Sequence, residues 1–475
     1  MLVSLSRFST LSAAVWLAAC GCAAPSSPRL WTPAPGANSV RPSSPVIRTP
    51  SVVPVVHHDA APVVPPPNGS RPTRLPLEGL TKLTAEDVVR VVLDRNPTLD
   101  QMRASARAAA ARYPQVTSLD DPTFAFSTAP GSAGATNANY AARVEVAQKL
   151  LYPGKRGLKG DAAKADALAA AEDVEDARLQ LAEAARAAQA DYYLAVKATT
   201  VAEENAKLLA EFRKNAEARY KAGQGQQQDV LQADVEIARQ DERLVSLRRA
   251  RLVAVARLNT LMHLPPDGSL PPPGDEGGAG PLLPDAVKLR EVALSRPDVR
   301  AVIARVAAEE AALALALREY KPDVEVMAAY DGFWQGPGGP PLQWQVGLRT
   351  NLPVRYARRG GAVEESRAKV AQRRAELARL TDQINFEVQE AFERVRETDE
   401  VVKLYESKVL PAAAANVKEA QAGYTNNRVA FLNLIEAQRN AVGLRDRYYE
   451  AVAEAARRRA ALERAVGAPQ PVPGR

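Results

Sequence analysis

Side chains able to do chemistry are few in this sequence. Both cysteines, Cys20 and Cys22, stand near the N-terminal end, so the remaining chain has no thiol, no disulfide and no cysteine-based metal site. Cys20 closes Leu17-Ala18-Ala19-Cys20, directly after the apolar stretch FSTLSAAVWLAA that follows Arg7. A small-residue site followed by cysteine, where the apolar core of an export signal stops, resembles the bacterial lipobox, in which the thiol receives acyl chains. Ordinary cleavage near Ala24, discarding both thiols, is the alternative; the position of Cys20 favours lipidation. Acyl chains contribute about 0.8 kcal/mol per buried CH₂, so a multiply acylated Cys20 would hold the chain on a membrane unaided. Gly21 rather than Asp after the cysteine favours the outer membrane.

Histidine is equally scarce, with 3 in the chain. His57-His58-Asp59 supplies too few ligands for a metal site and sits in a Pro-rich segment. The sequence has no Gly-rich phosphate loop at a strand–helix junction and no His-x-x-Glu spacing. Its carboxylates fall on heptad-patterned helices, where charge marks a wetted face. These features argue against an enzyme, a bound cofactor or a metal centre. The net charge is +7 and the pI near 9.3, yet Arg and Lys alternate with Glu and Asp instead of forming the basic stripe of a nucleic-acid binder. Past the N-terminal segment no apolar run approaches the ~20 residues of a membrane helix.

The elements that position the remaining polar residues are long helices. Tyr220 to Ala233, YKAGQGQQQDVLQA, lies midway along a proline-free run from Gly154 to Leu264, and Gly223 and Gly225 are its strong breakers. Helix formers flank it on both sides, so a helix over about Leu158 to Tyr220 and a return helix are expected. A helix of about 60 residues would be a rod of roughly 90 Å. The return helix has a heptad seam: Val230, Ile237, Leu244, Arg251 and Leu258, with Ala233, Gln240, Leu247, Ala254 and Leu261. The same arrangement recurs at Tyr424 to Ala437, YTNNRVAFLNLIEA, where Asn426 and Asn427 replace glycine and Asn tolerates a left-handed turn next best. Its return helix repeats the seam: Leu434, Ala441, Tyr448, Ala455 and Leu462, with Ala437, Leu444, Ala451, Arg458 and Ala465.

Upstream of each hairpin the pattern is also duplicated. Thr84 with Asp87 forms a capping-box variant ahead of the stripe Val88, Val89, Val92 and Leu93. This helix stops at Asn96-Pro97, and a second runs to about Arg112. Asp285 caps the corresponding helix, which stops at Arg296-Pro297. Period-two alternation then predicts strands: Phe124 and Phe126; Val144 and Val146; Val324, Val326, Ala328 and Tyr330; Trp344, Val346 and Leu348. Gly131 to Asn137 and DGFWQGPGGPP read as the exposed loops between them. The halves align at an offset of about 200 residues, an internal duplication, except that Pro411 interrupts the ascending helix of the second hairpin, where a kink or break is expected. The expected organisation is a signal over 1–19, a lipidated Pro-rich tether over 20–80 and a first repeat over 81–264. A linker over 265–284, a second repeat over 285–467 and a tail over 468–475 follow.

The lipobox, the doubled helix–strand–strand–hairpin units and the Tyr-x-x-Gly turn together resemble the TolC-type outer-membrane efflux factors, over roughly Leu80 to Gly467. That resemblance implies a mainly α fold with a β-barrel part. Three protomers each give four strands to a twelve-stranded outer-membrane barrel, and duplicated helical hairpins continue as a periplasmic tunnel. It implies a passive export conduit, working with a periplasmic adaptor (membrane fusion protein) and an inner-membrane pump. The adaptor would dock at the hairpin tips, here Gly223, Gly225, Asn426, Asn427 and Arg428. Acidic and polar residues hold the family's entrance closed, and matching the turns puts Asp229, Tyr424, Asn433 and Glu436 at those places. Two departures matter: Val429 stands where the best-known members have Arg, with Arg428 adjacent, and Asn433 replaces an acid, which leaves a single carboxylate ring. A solvated helix face is the alternative for Asp229 and Glu436. PGKRGLKG and QDVLQADVE resemble the heavy-metal-efflux branch. The rival to a conduit is a periplasmic coiled-coil scaffold or the adaptor itself, and neither explains four alternating strands.

Overall fold

The computed structural model describes residues 77, 79–128, 142–275, 283–332 and 343–467. The export signal, Cys20, nearly all of the tether with His57-His58-Asp59, the loop at Gly131 to Asn137, most of DGFWQGPGGPP and the tail over 468–475 lie outside the described residues.

Helix α1 (Ala85–Arg95) opens on the expected box: Thr84 accepts from the Asp87 N–H and the Asp87 side chain accepts from the Thr84 backbone. Asn96 ends it and caps α2 (Pro97–Ala110), with Pro97 in the first turn, where a missing N–H loses nothing. The helical stretch does not stop before Tyr113-Pro114 as expected from sequence. A short helix α3 (Arg112–Thr117) follows a break at Ala111, because Pro114 falls within its first turn. After strands β1 (Thr123–Thr128) and β2 (Ala142–Leu150) comes α4 (Lys155–Lys221), of 67 residues, hence about 100 Å long. It starts a few residues earlier than the sequence suggests, since Gly154 turns the chain at φ 89°. Helix α5 (Gln227–Leu261) returns along it.

The second half repeats the order: α6 (Ala286–Ala293) capped by Asp285, α7 (Pro297–Arg318), β3 (Val324–Gly332), β4 (Gln343–Thr350) and the ascending helix α8 (Tyr356–Leu404). Asp331 and Gly332, expected in a loop, extend β3 because they pair with Arg143 and Ala142. At the proline the helix does not break. A π-helical turn (Tyr405–Val409), closed by the Leu410 N–H on the Tyr405 carbonyl, precedes α9 (Leu410–Thr425), so Pro411 falls in the first turn of a restarted helix. Helix α10 (Phe431–Val466) completes the second hairpin.

The two repeats are not separate bodies. Helix α4 packs on α5 but also on α7 and α10 of the other half. Its contact line is largely alanine: Ala188, Ala195, Ala202 and Ala216 are buried at heptad spacing with Leu209, and small side chains let helix backbones approach. The expected α5 seam is present, with Ala233, Gln240, Leu244, Ala254 and Leu258 buried. On α10, Leu434, Ala437, Ala455, Leu462 and Ala465 are buried. The segment expected as a linker is laid down where it is described. Leu83 donates to Pro272 O, Gly274 donates to Leu83 O, and the Tyr192 hydroxyl donates to Pro271 O.

All four strands form one antiparallel sheet in the order β1-β2-β3-β4. Pairing joins Phe124 to Val146 and Phe126 to Val144, Val146 to Ala328 and Val144 to Tyr330, then Val326, Ala328 and Tyr330 to Leu348, Val346 and Trp344. Every apolar residue of the alternating pattern therefore falls on one face.

Candidate gate and channel-forming surfaces

That face is uncovered. Phe124, Phe126, Trp344, Val346 and Leu348 are between 61% and 81% exposed, which in water would be a large apolar patch. The opposite face is polar, with Arg143, Glu145, Glu325, Asp331, Gln345 and Arg349 linked by ion pairs and hydrogen bonds. Beside the sheet, the two halves are tied by Lys155, whose buried ammonium donates to Lys321 O (2.9 Å) and Asp323 (3.0 Å). The Tyr152 N–H donates to the same carboxylate.

At the far end of the hairpins the two turns are built alike. Gly223 has φ 70° and Asn427 φ 58°. Gly223 donates to Tyr220 O and Gln224 to Arg219 O; Asn427 donates to Tyr424 O and Arg428 to Gly423 O. Only the third residue after each tyrosine needs the left-handed region, so Gly225 and Asn426 have ordinary φ. Gly223, Asn426, Asn427 and Arg428 are exposed and Gly225 partly so, a surface open to a partner.

The four expected gate residues fall into two groups. Tyr424 is buried against Phe212, Leu434 and Phe431 at the hairpin ends, and its hydroxyl faces Asp229 Oδ2 at 3.5 Å, a long hydrogen bond. Burial, then the Asp229 carboxylate, push the Tyr424 hydroxyl above its ordinary value, so it stays a proton donor at neutral pH. Asn433 and Glu436 instead line a separate groove between α9 and α10 with Glu419, Arg428 and Asn440. Sequence reasoning missed Arg219. Its guanidinium lies 4.6 Å from the Tyr424 ring centroid and donates to Tyr424 O at 2.6 Å. It brings a cation of α4 against the second turn, where Val429 offers none. The signal was available: Arg219 directly precedes the first Tyr-x-x-Gly turn, and its counterpart in the second is Gly423.

Further along the helices, three more links join α5 to α10 and were not read from the sequence. Glu236, buried, accepts from Arg439 Nε at 2.9 Å and from its Nη2, and from Arg239 at 3.1 Å. The Arg439 hydrogen bond, outweighing burial, holds the Glu236 carboxyl below its usual range. One heptad on, Arg243 pairs with Asp446. Between helices, Gln438 donates to Asn205, Asn205 to Gln240, and Gln240 to Ala202 O, a closed polar chain across α4, α5 and α10. Among the described residues no group of three or more His, Cys, Asp or Glu could hold a metal ion.

Paired helices far longer than a globular domain uses run into one sheet that is apolar on one face and polar on the other. Residues 88–262 match the model of the outer membrane efflux protein family. Solved structures agree in fold. The outer-membrane channel OprN is 22% identical, with TM-score 0.68 over 81% of this chain and 89% of its own. CusC, described for conformational changes accompanying folding and transmembrane channel formation, is 15% identical at TM-score 0.69, covering 81% and 92%. VceC from Vibrio cholerae is 17% identical at TM-score 0.67, covering 81% and 96%. No curated protein matches the sequence.

Proposed function

We propose that three copies of this chain form an outer-membrane efflux conduit, a passive duct from the hairpin tips through the periplasm to the cell exterior. The observation that carries this is the sheet. It presents an in-register apolar face to its surroundings, a polar face opposite, and two outer strands, β1 and β4, each paired on one side only. Open edges are not tolerated in lipid, whereas three four-stranded sheets closing edge to edge give an even-numbered barrel with an apolar belt and a polar lumen. A soluble scaffold or adaptor leaves the apolar face without a purpose. The entrance is closed at the tips by Tyr424 with Asp229 and Arg219, and by the groove residues Asn433 and Glu436, which three copies would bring round one axis. The exposed turns at Gly223, Gly225, Asn426, Asn427 and Arg428 dock a periplasmic adaptor, which joins the duct to an inner-membrane pump. Acylated Cys20 adds a lipid anchor in the outer membrane.

Conductance in a planar bilayer tests the reading. Detergent-purified wild type is expected to give small, mostly closed, cation-preferring channels. An Asp229→Ala, Glu436→Ala double variant conducts more or loses the cation preference. Folded trimers that form no channel would overturn the conduit; channels whose gating ignores both changes would move the gate away from these residues.

A further inference from the structure

The polar face of the sheet carries an arrangement that closing a barrel does not require. Its charged residues occupy two rungs and one position between them. Near the loop end Arg143 stands opposite Asp331; near the helices Lys149, Glu325 and Arg349 share a rung; Glu145 lies between. Arg143 Nε is 3.5 Å from Glu145 and 3.8 Å from Asp331. Arg349 is 3.7 Å from Glu145 and 3.1 Å from Glu325. Gln345 bridges the first rung, donating to Asp331 at 2.9 Å and accepting from Arg143 at 3.5 Å. Glu145 thus has an arginine from each rung, and every carboxylate of the face has a cationic neighbour. Strand β1 adds Thr123, Ala125 and Ser127 to this face and no charge.

Resting on the conduit reading, this face is the wall of the pore. We propose that Arg143 and Arg349 determine the charge selectivity of the barrel segment: by offsetting Glu145, Glu325 and Asp331 they keep its lumen neutral, so that anionic as well as cationic cargo passes. Without them each protomer would present three carboxylates against Lys149 alone, and symmetry would triple the excess. A pore wall lined by one sign concentrates the opposite ion by about tenfold or more. Neutrality at the barrel leaves discrimination by charge to the acidic residues of the tips, which act on cargo before it enters the duct.

The test is the reversal potential under a KCl gradient in a planar bilayer, at low ionic strength, where screening reaches ~30 Å instead of the ~3 Å at 1 M salt. The Asp229→Ala, Glu436→Ala variant serves as background, so that the tips do not mask the barrel. In that background the cation-to-anion permeability ratio is expected near unity. Adding Arg143→Gln and Arg349→Gln raises it by about tenfold, an effect that disappears at 1 M KCl. Lysine at both positions restores the ratio, and Glu145→Gln, which leaves both arginines in place, moves it below unity. A ratio unchanged by the glutamine pair while channels still form would overturn this assignment and leave the conduit standing. Should the glutamine pair fail to assemble, the Glu145→Gln shift alone decides. Absence of channels in the background itself would remove the conduit, and the selectivity with it.

Discussion

The Glu236–Arg439 pair makes a quantitative demand on the gate. Only 8% of the Glu236 side chain is exposed, against 45% of Arg439. Breaking a fully buried pair costs about 3–5 kcal/mol, whereas an exposed pair contributes about 1 kcal/mol or less. With one end dry and the other half in water, Glu236→Gln should cost about 2 kcal/mol. If α10 leaves α5 when the entrance opens, that loss falls on the closed state alone. The open-to-closed ratio then rises roughly 30-fold, at tenfold per ~1.4 kcal/mol. Single-channel open probability measures this directly, and exchanging the charges (Glu236→Arg with Arg439→Glu) should return it toward wild type. The pH dependence has a fixed sign. The Glu236 carboxyl is held below its usual range, chiefly by the Arg439 hydrogen bond. Its contribution is therefore complete above about 4.3 and is lost as pH falls through the lowered value. Arg439 and Arg239 face it. Wild-type opening should be flat from neutrality to about pH 5 and rise below that, and the Gln variant should lack the rise. An open probability unmoved by Glu236→Gln in well-assembled trimers would show that the pair survives opening and has no part in the gate.

Lys155→Met removes both ammonium hydrogen bonds from the strand–helix junction and leaves the poorly exposed Asp323 carboxylate with the Tyr152 N–H alone; about 3 kcal/mol of stability should go, seen as a lower melting temperature. Val346→Arg puts a charge on the apolar sheet face, at about 2–4 kcal/mol near the bilayer midplane, and should deplete heat-modifiable trimers, while Gln345→Arg, one residue along on the polar face, should not. At the tips, Gly223→Val forces a β-branched residue to φ 70° and should destabilise by more than the ~1–2 kcal/mol of a left-handed L-residue, whereas Asn427→Gly should be near neutral in the same thermal assay.

Much of the fold was legible because it is written in periods. A seven-residue repeat through Leu244 and Leu258, and alternation through Phe124, Phe126, Val144 and Val146, each admit one local structure, and duplication gave every element a second reading. What escaped depends on contacts between distant helices. Nothing local distinguishes Glu236 or Arg439 from their solvated neighbours; they matter because their side chains bridge α5 and α10. The same holds for Arg219, which looks like any helix-end cation until Tyr424 is placed beneath it. Pro114 and Pro411 were read as interruptions, since a sequence shows the missing N–H but not whether a first turn or a π turn absorbs it. Asp229, Tyr424, Asn433 and Glu436 were all matched by turn position, and the turn alone did not reveal that Asp229 faces Tyr424 while Asn433 and Glu436 line a different groove.

The duplication is also where the two halves part, and the differences have a common sense. At equivalent turn positions the first hairpin has Arg219 and Gly223 and the second has Gly423 and Asn427. The first therefore supplies the cation, and the second the backbone carbonyls of Tyr424 and Thr425 that accept from it. Helix α4 runs without interruption, while its counterpart contains the π turn. A π turn adds one residue to the helix, and one residue rotates everything beyond it by about 100°. The face that α9 presents at the tip, and with it the placing of Tyr424 against Arg219 and Asp229, is thus decided at Tyr405–Val409, far from the tip. The Tyr448 hydroxyl donates to Glu406 within that turn at 3.0 Å, tying it to α10.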